Sequence, residues 1–258
     1  MLTLIVNLDR APERWERMQA LMQKWGLPYE RLAAVDGRQF SVEQLESLRL
    51  PYPERHYFLK DMTAGEIGCF LSHLHAWQRL LESNEEWALI LEDDIEFAED
   101  PRPYLNSLDW IPEGVKLIQL AKEFRAPKEV VREKTIHALP QGSRLLVLLK
   151  GIDGGCLGYL IHREVAAKAV AMYPPIPAPC DDLLFAHATP VRATYKPWAL
   201  SPALIVSNEQ GFAHSYVGRD KGKIKTSFWR GPKQYLERKL INIRHNRVTE
   251  QSGVTDLR

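Results

Sequence analysis

The chain contains an apolar run at residues 87–91 that ends abruptly in Glu92, Asp93 and Asp94. Five consecutive apolar residues predict a buried strand of an α/β sheet, and such sheets bind ligands beyond the carboxyl ends of their strands. In an extended chain Glu92 and Asp94 would point the same way, and Asp93 would face elsewhere. Crowded carboxylates suit a hard divalent cation, which can also bind a diphosphate. The alternative is a solvated strand end.

Composition and length are those of an ordinary folded protein. The chain has 258 residues, 45% hydrophobic and 26% charged, which suffices for one large domain or two small ones. Its three cysteines are odd in number and widely spaced without metal-type pairing, which favours a reduced compartment over a disulfide framework. The start of the chain lacks the features of a signal peptide, and no stretch approaches about 18 uninterrupted apolar residues, so no membrane span is expected.

A strand, a loop and a helix are predicted at the start of the chain. β-Branched residues favour a strand at 2–8, with Asn7 at its carboxyl end, and proline then opens a helix that ends at a glycine. Arg10 and Arg14 could reach a nucleotide, or they could be solvated cations at a helix start. Asp36 follows a second predicted strand, where it could bind a ligand or simply form a turn.

Capping boxes begin the next two predicted helices. Ser41 opens the first and Thr63 the second, each followed three residues later by Gln or Glu. Glu66 could therefore be a helix cap or a ligand contact. The second helix carries a buried apolar stripe, and His73 and His75 are predicted to lie off it. Because they point to different faces, a zinc pair of these two histidines is not expected.

The second half of the chain contains further predicted strands and another acidic pair. Strands are expected at 116–120 and 144–150, and a glycine-rich strand at 154–161 would permit close backbone approach. Asp181 and Asp182 stand where a helix is predicted to begin. One acid would suffice there as a cap that the helix dipole favours, so the second leaves room for a catalytic role.

Several groups of residues in the first part of the chain occur in a recognisable order. They are Asn7-Leu8-Asp9-Arg10, Arg14, Ala34-Val35-Asp36-Gly37, Thr63-Ala64-Gly65-Glu66-Ile67-Gly68-Cys69 with Ser72-His73, and Leu91-Glu92-Asp93-Asp94. Together they resemble family 25 of the glycosyltransferases, bacterial enzymes that build lipopolysaccharide and lipooligosaccharide outer cores, often as β-galactosyltransferases. The resemblance implies a GT-A-like, Rossmann-like mixed sheet flanked by helices, a UDP-sugar donor and inversion at the anomeric carbon.

The resemblance also suggests which residues bind the donor. Asp94 and Glu92 are predicted to hold a divalent cation, Mn²⁺ or Mg²⁺, and His214 could complete its coordination, unless it is a surface-loop histidine. The donor-binding residues are predicted to be Asn7, Arg10, Arg14, Asp36, Glu92 and Asp93.

Inverting transfer needs a base that deprotonates the acceptor hydroxyl opposite the leaving diphosphate. Asp181 or Asp182 is the predicted base, with Asp153 in reserve. The predicted function is therefore transfer of a hexose, with galactose as the expected sugar, from a UDP-sugar to a lipopolysaccharide or lipooligosaccharide core acceptor. Two alternatives stay open: a non-catalytic sugar-binding or adhesion relative, and a sugar-phosphate nucleotidyltransferase. The latter would more often carry a glycine-rich loop after its first strand, which this chain lacks.

Charge divides the chain into a predicted transferase domain, 1–217, and a basic C-terminal tail, 218–258. Between 219 and 247 there are ten Lys and Arg against two acids, interleaved with aromatic and aliphatic residues, although the whole chain has a net charge of only +1. Such a segment is typical of attachment to an anionic membrane surface. A nucleic-acid patch would look similar by charge, and a solvated basic helix is the third possibility. A lipid-linked acceptor favours the membrane, so we expect a cytoplasmic protein, peripheral on the inner face of the cytoplasmic membrane, that binds no nucleic acid.

Overall fold

The computed structural model describes residues 1–49, 62–122, 139, 142–147, 155–186 and 189–208. In this part of the chain, a mixed seven-stranded sheet is flanked by helices, which confirms the predicted α/β class. The basic tail lies outside the described residues, so the division into two domains stays a prediction. Among the helices described, none is long and apolar enough to cross a membrane.

The first half alternates strands and helices much as the sequence predicted. Its elements are β1 (Leu2–Asn7), α1 (Pro12–Trp25), β2 (Glu30–Ala33), a 3₁₀ segment (Gly37–Gln39), α2 (Val42–Leu48), α3 (Ala64–Glu82), β3 (Trp87–Glu92), β4 (Ile95–Phe97) and α4 (Arg102–Leu105).

The second half adds shorter elements to the sheet and its flanks. They are β5 (Leu117–Gln119), β6 (Ala121–Lys122), β7 (Arg144–Val147), β8 (Gly158–His162), α5 (Arg163–Val170), a π-helical segment (Asp182–Ala186), α6 (Pro190–Tyr195), β9 (Trp198–Ser201) and β10 (Ile205–Ser207).

The strand order brings four strand ends to one edge of the sheet. The order is β2-β1-β3-β8-β5-β9-β7, with β1 parallel to both β2 and β3, and β8 antiparallel to both β3 and β5. The carboxyl ends of β1, β2 and β3 therefore meet the amino end of β8. A smaller sheet, β4-β10-β6, follows β3 through the turn at 93–94.

The apolar run of β3 is explained by burial on both faces of the sheet. Ala88 and Ile90 pack in one hydrophobic cluster with residues of α3 and α5, while Leu89 and Leu91 pack in the other with residues of α1. A strand covered on both sides is apolar at every position rather than at alternate positions. The predicted buried strand is therefore confirmed.

Local signals set the bounds of the helices. Gly26 ends α1 with a φ of 63°, a left-handed conformation that glycine adopts without steric cost. Both predicted capping boxes are present, at Ser41 and at Thr63, where a side-chain oxygen of Glu66 accepts the Thr63 backbone N–H at 2.7 Å. Of the two roles considered for Glu66, the structure shows the cap.

Two glycines allow α3 to lie directly against the loop after β2. A Cβ on Gly68 would stand 2.6 Å from the Val35 carbonyl oxygen and 2.7 Å from the Gly37 nitrogen. A Cβ on Gly37 would stand 1.7 Å from the Ala64 carbonyl oxygen. Backbone therefore packs on backbone here. This contact fixes the start of α3 beside the edge of the sheet where the carboxyl ends of β1, β2 and β3 meet.

Candidate active site

The acidic triplet lies at the sheet edge, but its backbone is not extended throughout. Glu92 is the last residue of β3, whereas Asp93 and Asp94 form the turn into β4. The expectation that an extended chain aligns Glu92 with Asp94 is therefore wrong, because the strand ends one residue too early. The two carboxyls are nevertheless electrostatic neighbours, since the charge of Glu92 helps to raise the pKa of Asp94.

Asp93 faces into the protein, where it is held by two side chains. One of its carboxylate oxygens accepts from Arg14 Nη1 at 2.8 Å, and the other from Asn7 Nδ2 at 2.7 Å. Asn7 in turn accepts from Arg31 at 2.8 Å. Asn7, Arg14 and Asp93 are all buried. This network braces the turn from inside, and the predicted donor contacts of these residues stay predictions.

A second arginine of α1, which the sequence analysis missed, holds the same turn from outside. Arg17 donates to the backbone carbonyls of Asp93 at 3.0 Å and Ile95 at 2.8 Å, and it pairs with Glu96 at 2.6 Å. Arg14 and Arg17 are three residues apart, so they lie on one face of α1. The three-residue spacing of these two arginines is the sequence feature that could have identified Arg17.

Asp36 is an ion-pair centre as well as a turn residue. It accepts from Arg38 at 2.8 Å and from Arg10 Nε at 2.7 Å, and it also caps the 3₁₀ segment. Hydrogen bonding to Arg38 and then Arg10 holds the pKa of the Asp36 carboxyl well below its usual range, even though burial opposes this. The structure thus brings Arg10 and Asp36 together, while their role in donor binding stays a prediction.

Asp94 and Asp181 have carboxyls that the protein makes hard to ionise. Burial, followed by the charge of Glu92, raises the pKa of Asp94 to about 7. Burial, the charge of Asp182 and the charge of Glu92 raise the pKa of Asp181 to about 6. The charge of Glu92 helps to raise the pKa of both carboxyls. Asp94 and Asp181, from two distant parts of the chain, therefore lie in one region of negative electrostatic potential. We call Glu92, Asp94 and Asp181 the carboxylate cluster.

The carboxylate cluster fits a hard cation by its chemistry. Asp94 Oδ1 is buried without a hydrogen-bond partner in the described structure, and Oδ2 has only a long contact, 3.4 Å, to Arg14 Nη1. A cation would satisfy the orphaned oxygen and relieve the mutual repulsion. Within the described ranges, however, no three carboxylates have ligand atoms within 4.8 Å of one another.

Two of the predicted residues cannot be placed. Asp153 and His214 lie outside the described residues, so their suggested roles as reserve base and cation ligand stay predictions. Asp182 begins the π-helical segment beside Asp181, as the sequence suggested for a helix start.

His73 is the main correction to the predicted arrangement. It was expected off the buried stripe of α3, but its side chain is fully buried, because the sheet and α5 cover a wider face of the helix than the large apolar residues indicated. His73 Nδ1 lies 2.8 Å from the Tyr159 hydroxyl, and Nε2 lies 3.4 Å from Glu92 Oε1. Burial would lower the pKa of His73, but hydrogen bonds to Cys69 and Glu92 raise it to about 10.

The cysteines also come together in a way that their spacing did not reveal. Cys69 Sγ lies 3.5 Å from Cys180 Sγ and 3.9 Å from Glu92 Oε1. Hydrogen bonding to Cys180, together with burial, raises the pKa of the Cys69 thiol well above its usual range. Cys69 and Cys180 therefore lie next to the carboxylate cluster, joined to it through Glu92.

Comparison with known proteins gives the family. The family model described as Glycosyltransferase family 25 (LPS biosynthesis protein) matches residues 1–184. The match covers well over half of the chain, from β1 through the acidic triplet to Asp181. The chain therefore belongs to glycosyltransferase family 25, as its motifs predicted.

Similar proteins occur in both animals and bacteria. A "Glycosyltransferase 25 family member" of Drosophila pseudoobscura pseudoobscura is 31% identical over 173 residues, which is 66% of this chain and 27% of that protein. "Procollagen galactosyltransferase 2" of Homo sapiens is 29% identical over 177 residues, again 66% of this chain and 27% of that protein. "Lipooligosaccharide biosynthesis protein lex-1" of Haemophilus influenzae is 28% identical over 197 residues, or 72% of this chain and 64% of that one. This chain thus spans only about a quarter of the length of the animal relatives.

Among solved structures, a glycosyltransferase "involved in the glycosylation of the major capsid of PBCV-1" aligns with 85% of this chain and 96% of its own, at 12% identity and a TM-score of 0.41.

Proposed function

We propose that this protein is an inverting glycosyltransferase that moves a hexose, galactose first among the candidates, from a UDP-sugar to a glycolipid of the lipopolysaccharide or lipooligosaccharide type. The observation that carries the proposal is Asp94, whose buried Oδ1 has no hydrogen-bond partner in the described structure and which lies in the turn after β3, in a chain of glycosyltransferase family 25. The human relative, a procollagen galactosyltransferase, supports the choice of sugar, and the Haemophilus relative, a lipooligosaccharide biosynthesis protein, supports the acceptor class.

In this proposal Glu92 and Asp94 hold a divalent cation, Mn²⁺ or Mg²⁺, and Asp181 is the base. A bound cation would neutralise charge on the donor diphosphate as it leaves. Asp181 suits the second role because its raised pKa, about 6, makes it a stronger proton acceptor than an ordinary aspartate while it stays mostly ionised at neutral pH. The brace formed by Asn7, Arg14 and Asp93 holds the turn that carries Asp94.

The acceptor class also implies where the protein works. A lipid-linked acceptor is presented at a membrane, so we place the protein in the cytoplasm, peripheral on the inner face of the cytoplasmic membrane. The basic segment 219–247 supports this through its charge and its interleaved apolar residues.

Slow donor hydrolysis tests the proposal without knowledge of the acceptor. The full chain would be incubated with UDP-galactose, UDP-glucose and UDP-N-acetylhexosamines, with Mn²⁺, Mg²⁺ or a chelator, and release of UDP would be measured. We expect cation-dependent hydrolysis, fastest with UDP-galactose. Asp94→Asn should lose it by orders of magnitude, because the variant removes a charge that the cation needs but keeps the side-chain size.

Asp100→Asn is the matched control. Asp100 lies a few residues further along and pairs with Arg102 at 2.6 Å. Its variant should hydrolyse the donor normally. Unchanged rate and cation dependence in Asp94→Asn would contradict the cation assignment. Donor binding without turnover in the wild-type chain would favour the non-catalytic, sugar-binding alternative.

A further inference from the structure

We propose that Cys69, His73 and Cys180 form a zinc site that adjoins the carboxylate cluster, with Glu92 bordering its fourth position. Within the described residues, these three side chains are the group whose ligand atoms all lie within 4.8 Å of one another. Two of them come from consecutive turns of α3 and the third from the segment that leads to Asp181. The site goes beyond the proposed transferase function, and its test does not depend on that function.

The distances match the edges of a tetrahedron around zinc. With bonds of about 2.3 Å to sulfur and about 2.1 Å to nitrogen or oxygen, a tetrahedral site holds two sulfurs about 3.8 Å apart, sulfur and oxygen about 3.6 Å apart, and nitrogen and oxygen about 3.4 Å apart. The corresponding distances here are 3.5 Å for Cys69 Sγ to Cys180 Sγ, 3.9 Å for Cys69 Sγ to Glu92 Oε1, and 3.4 Å for His73 Nε2 to Glu92 Oε1. Glu92 is outside the group whose ligand atoms all lie within 4.8 Å of one another, so its carboxylate would have to move toward Cys180 to become the fourth ligand.

The surroundings of His73 suit a metal ligand. Its Nδ1 faces the Tyr159 hydroxyl at 2.8 Å, and that hydroxyl also accepts from Trp77 Nε1 at 2.9 Å. A metal-binding histidine typically donates its other ring N–H to a fixed acceptor, which sets its tautomer and orientation. If Nδ1–H donates to Tyr159, zinc would take the place of the proton on Nε2, and the Nε2 lone pair would then point toward the two sulfurs.

The ligand types separate this site from the cation site of the transferase. Thiolates and imidazole favour zinc, whereas carboxylates favour Mg²⁺ or Mn²⁺. His73 is fully buried, Cys180 nearly so, and Cys69 half-buried. Cys69 and His73 are four residues apart and therefore share one face of α3. Bound zinc would tie α3 to the segment before Asp181.

Metal content and cobalt substitution test the site without any activity assay. The full chain would be purified under reducing conditions without chelator, and its zinc measured by mass spectrometry. We expect a stoichiometric amount. Protein stripped of zinc and titrated with Co²⁺ should show a thiolate-to-cobalt charge-transfer band and the intense visible bands of tetrahedral cobalt. Cys69→Ser and His73→Gln should weaken Zn²⁺ affinity by about 100-fold or more.

His75→Gln is the matched control, because His75 is exposed on the same helix two positions from His73. It should bind zinc as the wild type does. Far-ultraviolet circular dichroism would show that each variant folds, and the wild-type cobalt spectrum stands without any variant. The proposal is overturned if the reduced wild type binds zinc substoichiometrically, if cobalt gives no thiolate band, or if Cys69→Ser binds zinc as tightly as the wild type. A Cys69–Cys180 disulfide in protein that takes up no zinc after reduction would assign these thiols to redox chemistry instead.

Discussion

Two ion pairs of the chain differ chiefly in their burial. Arg14 and Asp93 meet at 2.8 Å inside the protein, whereas Arg31 and Asp9 meet at 2.7 Å with 77% of the Asp9 side chain exposed. Removing one partner of a buried pair leaves an uncompensated charge, while an exposed partner is replaced by water.

We therefore expect Asp93→Ala to lower the free energy of unfolding by about 3–5 kcal/mol. Asp9→Ala should lower it by no more than about 1 kcal/mol. Urea unfolding, followed by circular dichroism, measures both. Equal losses in the two variants would show that the Asn7–Arg14–Asp93 network does not brace the turn.

The pKa of Asp181 gives the proposed transfer reaction a predicted pH dependence. A base must be ionised to accept a proton, and the pKa of Asp181 is raised to about 6. At saturating cation and donor, the rate should therefore rise with pH to a plateau with a midpoint no higher than about 6, because a cation bound at Glu92 would offset part of the negative charge that raises this pKa. Asp181→Asn should slow transfer by about 100-fold or more while donor affinity is kept.

Asp182→Asn is the natural comparison for this profile. This variant keeps a polar side chain at the start of the π-helical segment, so the rate should still rise with pH as Asp181 ionises. Because the charge of Asp182 helps to raise the pKa of Asp181, its removal should move this rise to lower pH. If instead the Asp182 variant lost its activity and the Asp181 variant kept it, the base would be Asp182.

The contact between α3 and the loop after β2 depends on two glycines. Because a Cβ on Gly68 would come within 2.7 Å of two backbone atoms, neither of which can rotate away, Gly68→Ala should push the helix from the loop. Overpacking usually costs about 1–3 kcal/mol. Alanine returns about 1 kcal/mol through its higher helix propensity, so we expect a net loss of up to about 2 kcal/mol in the free energy of unfolding. A thermal or urea melt that shows stabilisation would contradict the close packing.

Local features of the helices and strands were predictable from the sequence. The capping boxes at Ser41 and Thr63, the end of α1 at Gly26 and the buried strand β3 each depend on neighbouring residues, and all are present. The pattern of β3 is unusually clear because both of its faces are buried.

Contacts between distant segments were not predictable in the same way. Nothing near His73 in the sequence indicates that Tyr159 and Glu92 surround it, and nothing near Cys69 indicates Cys180, which is 111 positions away. Such contacts depend on the order of strands in the sheet. The family motifs gave the acidic residues in advance, whereas the arrangement around Glu92 required the fold.

Charge is distributed unevenly along the whole chain. Ten cations and two acids lie between 219 and 247, outside the described residues, while acids exceed cations in the remainder. We predict that the full chain sediments with anionic liposomes but not with neutral ones, and that high salt releases it, because each Lys or Arg near an anionic surface contributes about 1 kcal/mol. A chain truncated after Val217 should remain in the supernatant.

The same two chains, full and truncated, should hydrolyse the donor alike if the segment serves only for attachment. Equal sedimentation of both, or binding that ignores lipid charge, would rule out membrane attachment through this segment. Binding of the full chain to nucleic acid with a comparable salt dependence would support the alternative explanation of the charge.

The central position of β8 has a consequence for the order in which the protein is built. β1, β2 and β3 are consecutive, parallel and joined by helices, so they can associate as soon as β3 has left the ribosome. The other edge of β3 must wait for β8, which pairs with it from 158 to 162. Until then β3 exposes an unpaired apolar edge, a template for aggregation. Because Asp181 follows β8 in the chain, the acidic turn and the arginines that hold it are made well before Asp181, the remaining member of the carboxylate cluster. Nascent chains stalled before β8 should therefore need chaperone protection that longer chains no longer require.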